Sequence, residues 1–197
     1  MKNLYIIALC FCELFSACNS TDIKKINKNS HIHDRNYETI ANKITKEVAI
    51  KLEKEKGLRC IGTGGRMMND IQRMGMSFQL FHEVDLIEAR KILVYVIIEY
   101  LKLINENKNI RPYLHNYPFQ PKNVEIRIWM QKPDGQDVPP DKLDYVSSIN
   151  ATLRYYLPDE PKIGTEKKLY EETYDEALKI VQDEELANQT KLPDQEI

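Results

Sequence analysis

The stretch Asp85–Asn107, DLIEARKILVYVIIEYLKLINEN, constrains the fold more than any other. Its charged residues Glu88, Lys91, Glu99, Lys102 and Glu106 recur at helical spacing in one narrow stripe, with Tyr95 filling the gap. Nearly all the other positions are apolar. A helix with so wide an apolar surface has to be covered on most sides. Crossing a bilayer takes about 20 predominantly apolar residues, and this segment is too short and too charged for that. It is therefore the predicted central helix of a soluble core. Asp85, with Glu88 three positions on, is its predicted N-cap.

The other periodic stretches supply what covers it. In Tyr37–Lys56, Ile40, Ile44, Val48 and Leu52 repeat every four residues, which predicts a one-sided helix closed by Gly57. Met74, Met76, Phe78 and Leu80 alternate with polar or small residues and predict a half-buried strand. In VEIRIWMQ (124–131), Val124, Ile126, Ile128 and Met130 share one face, while Glu125, Arg127 and Trp129 share the other. Tyr145–Leu157 predicts one long strand, paired with 124–131 as an antiparallel hairpin. Glu166–Leu186 predicts a last helix with Leu169, Tyr170 and Ala177 towards the core. With Leu58–Ile61 as a further short strand, the order is α-β-β-α-β-β-α. This is a single α+β domain with an antiparallel sheet of about four strands, packed against the central helix (85–107) and two flanking helices.

The first residues, MKNLYIIALCFCELFSAC, carry Lys2, an apolar run over Leu4–Phe15, two small residues and Cys18. That sequence of regions is an export signal rather than a membrane span. Its end resembles a bacterial lipobox, in which small residues precede a cysteine that is lipidated and becomes the mature N-terminus. Phe15 stands where the family usually has Leu. The resemblance implies lipidation at Cys18, and acyl chains on that residue anchor the protein to a membrane. Asn19 after Cys18 implies the outer rather than the inner membrane. The predicted organisation is a signal peptide over 1–17, a lipidated N-terminus and flexible tether over 18–36, a globular domain over 37–188 and a polar tail over 189–197. The stretches GTGGRMMNDI, EARKILVYVIIEYL and IRPYLHNYPFQPKNVEI also resemble uncharacterised bacterial envelope proteins, which implies location but no chemistry.

A chain of 197 residues with 42% hydrophobic side chains suits one domain plus extensions. Its net charge of −2, from 28 basic and 30 acidic residues, excludes a nucleic-acid surface. Three of the four cysteines cluster near the N-terminus, so no disulfide framework exists.

Two segments are candidate ligand contacts. Gly62, Gly64 and Gly65 with Arg66 present backbone N–H groups and a charge to an anion, or else form a turn that needs positive φ. The loop Ile110–Pro121 holds three prolines and the candidates Arg111, Tyr113, His115 and Tyr117; it lines a site or plugs the end of the core. His31, His33 and Asp34 lie in the tether, where a solvated linker outweighs a metal site. Cys60 with His82 or His115, or Ser77 with a histidine, are the conceivable nucleophile–base pairs, and none lies in a recognised motif. No catalytic residue, cofactor or metal is assigned. The sequence predicts a non-catalytic lipoprotein domain whose partners are the membrane, through its anchor, and an envelope protein or small ligand. An exported hydrolase and a secreted host-directed protein are the alternatives.

Overall fold

The computed structural model describes residues 23–159 and 166–190. The chain divides into two units, Met1–Arg35 and Asn36–Ile197. The described part of the first is helical backbone. Apart from the first residues of helix α1, all that follows concerns the second. The leader and Cys18 lie outside the described residues, as do the side chains of His31, His33 and Asp34.

Helix α1 (Ile23–Lys56) begins earlier than Tyr37, so the backbone of residues 23–36 is helical rather than irregular. Its buried face is Tyr37, Ala41, Ile44, Val48 and Leu52, which keeps three of the four residues of the predicted series, while Ile40 is only partly buried. Gly57 ends it at φ +66°, a left-handed conformation that glycine adopts without steric cost. Strands β1 (Arg59–Arg66) and β2 (Arg73–Leu80) follow and pair antiparallel. Helix α2 (Leu86–Glu106) is the central helix. Asp85 caps it, its side chain accepting from the Glu88 N–H at 2.8 Å.

After α2 come β3 (Val124–Met130), β4 (Tyr145–Ile149), β5 (Thr152–Pro158), β6 (Glu166–Thr173) and α3 (Tyr174–Thr190). The sheet has six strands in the order β1-β2-β3-β4-β5-β6, not about four. It is mixed rather than antiparallel. Helix α2 carries the chain from the end of β2 back to the start of β3, so these neighbours run parallel. The other neighbouring pairs are antiparallel, including the predicted pairing of 124–131 with 145–149.

Three local expectations are corrected. Gly62–Gly65 is not a turn but the body of β1; the described glycines with positive φ are Gly57 and Gly135. The long strand Tyr145–Leu157 is two strands, because Asn150 and Ala151 turn the chain at φ +53° and +58°. A two-residue hairpin turn of this hand favours Asn-Gly, and Asn-Ala conceals it. The segment Glu166–Thr173 is not helix but strand β6, registered against β5, and Leu169 and Tyr170 are exposed rather than buried. The helix starts instead at a capping box. Thr173 Oγ1 accepts from the Glu176 N–H at 3.3 Å, and Glu176 accepts from the Thr173 N–H at 2.8 Å.

The helices share one face of the sheet. Met74, Met76, Phe78 and Leu80 of β2 are buried beneath them, as are Val124, Ile126, Ile128 and Met130 of β3. Helix α2 meets α1 through the Thr45–Tyr100 hydroxyl pair at 3.0 Å and the Lys51–Glu99 ion pair at 2.6 Å. It meets α3 through Lys91–Glu184 at 2.8 Å. Burial pushes the Tyr100 phenol far above its ordinary pKa.

One buried position of α2 is charged. Arg90 Nε donates to Glu172 Oε1 at 2.7 Å, and Tyr155 donates to the same oxygen at 2.6 Å. Both Arg90 and Glu172 are buried, and Glu172 Oε2 has no hydrogen-bond partner among the described residues. Burial, and then the Glu172 carboxylate, push the Tyr155 phenol well above its ordinary pKa. Removing one member of a buried pair strands the other charge, at a cost of about 3–5 kcal/mol. Arg90→Met is therefore expected to lower unfolding free energy by about that amount in urea titrations. The double variant Arg90→Met/Glu172→Leu is expected to recover most of it.

Candidate functional site

Strand alternation places the remaining residues on the opposite face, which carries no helix among the described residues. Across β2 and β3 these are Arg73, Gly75, Ser77 and Gln79 beside Glu125, Arg127 and Trp129. Tyr145 and Ser147 of β4 continue the rows, followed by Arg154 and Tyr156 of β5.

Two features stand on this open face. The first is a row of three rings. Trp129 and Tyr145 have centroids 5.0 Å apart, and Tyr145 and Tyr156 are 5.3 Å apart, each pair tilted by 35°. Such contacts are favourable for rings offset or tilted against one another. The second is a notch of about 170 Å³ whose lining includes Gly62, Gly64, Gly75, Ser77, Glu125 and Arg127. Glycines leave its floor as bare backbone.

Charges on the face are interleaved. Arg73 donates to Glu125 Oε1 at 2.8 Å and Arg127 to Glu125 Oε2 at 3.2 Å. Arg154 and Lys168 converge on Glu171 Oε2 at 2.7 and 3.2 Å. Lys168 and Arg154 hold the Glu171 carboxyl below its ordinary pKa. Gln79 donates to Gln131 at 2.5 Å.

The candidate residues from the sequence divide between two places. Gly62, Gly64 and Gly65 line the notch. Arg66 ends β1 opposite Arg73, exposed and outside the notch lining. Arg111, Tyr113, His115 and Tyr117 line neither this notch nor the second cavity against β1, of about 260 Å³, between Thr63–Gly65 and the Glu38–Thr45 side of α1. They close the end of α2 and hold the β1–β2 connection. Arg111 donates from Nε and Nη2 to the Asn105 carbonyl at 3.2 and 2.9 Å, a cation at a helix C-terminus. Its guanidinium lies 4.7 Å from the centre of the Tyr117 ring. The Asn105 side chain clamps Phe119, donating to its carbonyl at 3.0 Å and accepting from its N–H at 2.8 Å. Tyr113 packs on Tyr37 at 5.7 Å, and its carbonyl accepts from the Ile71 N–H at 2.7 Å. The His115 N–H donates to the Ile71 carbonyl at 2.9 Å. The loop is thus a plug over the end of the core.

The conceivable nucleophile–base pairs have other partners. Cys60 Sγ donates to the Gly62 carbonyl at 3.6 Å, and burial pushes the thiol above its ordinary pKa. His82 lies 3.6 Å from Glu88 at the start of α2, and His115 Nδ1 lies 2.6 Å from Asp70. The notch that holds Ser77 has no histidine in its lining. Among the described residues, no group of three or more His, Cys, Asp or Glu side chains is placed to hold a metal ion.

The aromatic row escaped the list of candidates drawn from the sequence. Its signal was the alternation of Glu125, Arg127 and Trp129 opposite the apolar residues of β3, visible in VEIRIWMQ. Comparison with known proteins adds no relative: no family model, no curated protein and no solved structure matches the chain.

The His115 hydrogen bond, and after it Gln72, hold the Asp70 carboxyl below its ordinary pKa. A depressed folded-state value stabilises fully above the unfolded carboxylate value of about 3.9 and fades as pH falls through the lowered one. His115→Ala is expected to raise the Asp70 pKa in an NMR titration of side-chain carboxyl carbons. An unchanged titration would mean that the pair does not form in solution. Cys60 is expected to react with iodoacetamide about tenfold more slowly in the folded protein than in urea, followed by peptide mapping.

Proposed function

We propose that this chain is a lipid-anchored protein of the bacterial cell envelope and that its folded unit is a binding domain, not an enzyme. One observation carries the binding reading: the face of the sheet that carries no helix among the described residues holds an aromatic row and a glycine-floored notch side by side. The rings of Trp129, Tyr145 and Tyr156 are half-buried, so part of their apolar area stays in solvent, and such area belongs to recognition when polar groups rim it. The rim here is Arg73, Arg127, Glu125 and Arg154. The ligand is a partner protein or a small molecule of the envelope.

The location rests on the leader and on the small residues before Cys18, with Asn19 after it favouring the outer membrane. No helix among the described residues is long and apolar enough to cross a membrane. In this proposal attachment runs through acyl chains on Cys18, and two or more chains make such an anchor stable.

Metabolic labelling with an alkyne palmitate analogue tests it in a bacterial host. The full chain is expected to take up label and to sediment with membranes, and Cys18→Ala to lose both. Equal labelling of the two forms would remove the anchor. A cleaved, unlabelled protein in the medium would favour the secreted alternative instead.

A further inference from the structure

We propose that the glycine notch and the aromatic row beside it bind a polyhydroxylated ligand, an oligosaccharide laid along the open face of the sheet. This names the ligand class for the binding domain proposed above and rests on that reading.

The starting point is a destabilising choice of residue, Gly64, that no contact among the described residues explains. Glycine weakens a strand interior, because it loses more backbone freedom on folding and offers no side chain to pack. Gly65 has an internal reason, since a Cβ there would lie 2.5 Å from the Arg73 carbonyl oxygen. Gly64 has none. A Cβ on it would meet nothing within 4 Å, and its φ is not left-handed. Gly62 adjoins the register shift after Cys60, a bulge that itself accounts for a glycine, although a Cβ there would touch the Ser77 side chain at an ordinary 3.6 Å. Glycine kept where a side chain would fit marks a place where another body comes close to the backbone. The space left is about 170 Å³, the scale of one sugar ring.

The rim selects the chemistry. Glu125 only accepts hydrogen bonds, Arg127 and Arg73 only donate, and Ser77 does both. A hydroxyl group both donates and accepts, so a ligand with neighbouring hydroxyls serves the carboxylate and the guanidinium groups at once. A phosphate only accepts and would face Glu125. The basic groups of this face are also interleaved with carboxylates, Arg73 and Arg127 with Glu125, and Arg154 and Lys168 with Glu171. That pattern does not suit a chain of phosphates. The rings of Trp129, Tyr145 and Tyr156 complete the platform, since aromatic faces carry negative charge density that attracts the C–H groups of a sugar. Arg127 and Trp129 are two residues apart on β3, about 7 Å, so a chain of linked rings reaches both notch and row.

Trp129 is the single tryptophan of the chain, so its fluorescence reports on this face alone. The full chain in mild detergent would be titrated with three hexasaccharides, one of neutral hexose, one of N-acetylhexosamine and one of uronic acid. A ten-nucleotide oligothymidylate and an eight-residue polyglutamate serve as comparisons. A saturable change with at least one saccharide is expected. Gly64→Thr places a Cβ where nothing lies within 4 Å and narrows the notch; it should leave the melting temperature unlowered while weakening binding at least tenfold. Tyr156→Ala should weaken it by a similar factor, and if it fails to fold, Gly64→Thr decides. Saccharide binding unaltered by Gly64→Thr would overturn the site. A response to oligothymidylate or polyglutamate alone, cancelled by Gly64→Thr, would overturn the saccharide and keep the face as a binding surface. No response to any of the five would overturn both.

Discussion

Helix α2 lies on one face of a six-stranded sheet, held between α1 and α3, and that placement settles what both faces carry. Leu93, Val96, Ile97, Tyr100 and Ile104 are buried in one core with Ile126, Ile128, Met76 and Phe78. Burying side chains of that size stabilises by about 1.5–3 kcal/mol each, before entropy is counted. Among the described residues no other element has comparable apolar surface to offer the second face. That face is therefore left to polar groups and rings, and the strands alternate between two different environments.

Such alternation explains what the sequence disclosed. Where one face of an element is buried and the other is not, the period is written into the residues: Ile44 to Leu52 on α1, Met74 to Leu80 on β2, Val124 to Met130 on β3. The end signals at Asp85 and Gly57 were equally local. What stayed hidden was decided by pairing at a distance or by rare backbone. Glu166–Thr173 has charges that suit a helix, and it becomes an edge strand because β5 offers it a partner. The Thr173–Glu176 capping box was present in the sequence as a sign that the helix starts later. The glycines of β1 suggested a turn because glycine is abundant in turns, yet here the backbone is extended. Arg90 was overlooked on α2 because its partner is 82 positions away.

The same contrast applies to the candidate site. Residue types pointed to two segments, Gly62–Arg66 and Arg111–Tyr117, and only the first reaches a cavity of the open face. The proline-rich loop is rich in groups that recognise ligands, but those groups are consumed at home, on the Asn105 carbonyl, on Phe119 and on Ile71. An arginine stacked on a tyrosine is as useful to a helix end as to a ligand. The rings of the open face come from three strands, and no sequence window contains them together.

The bond between Arg90 and Glu172 has a bearing on the order in which this polypeptide is made. A nascent chain leaves the ribosome with Arg90 long before Glu172. Until β6 arrives, a lone cation occupies the surface that α2 must turn inwards, and water solvates it better than the core does. Burying Arg90 of α2 therefore costs least once β6 has been synthesised. Of the buried polar contacts of α2, this one is thus completed last as the polypeptide grows.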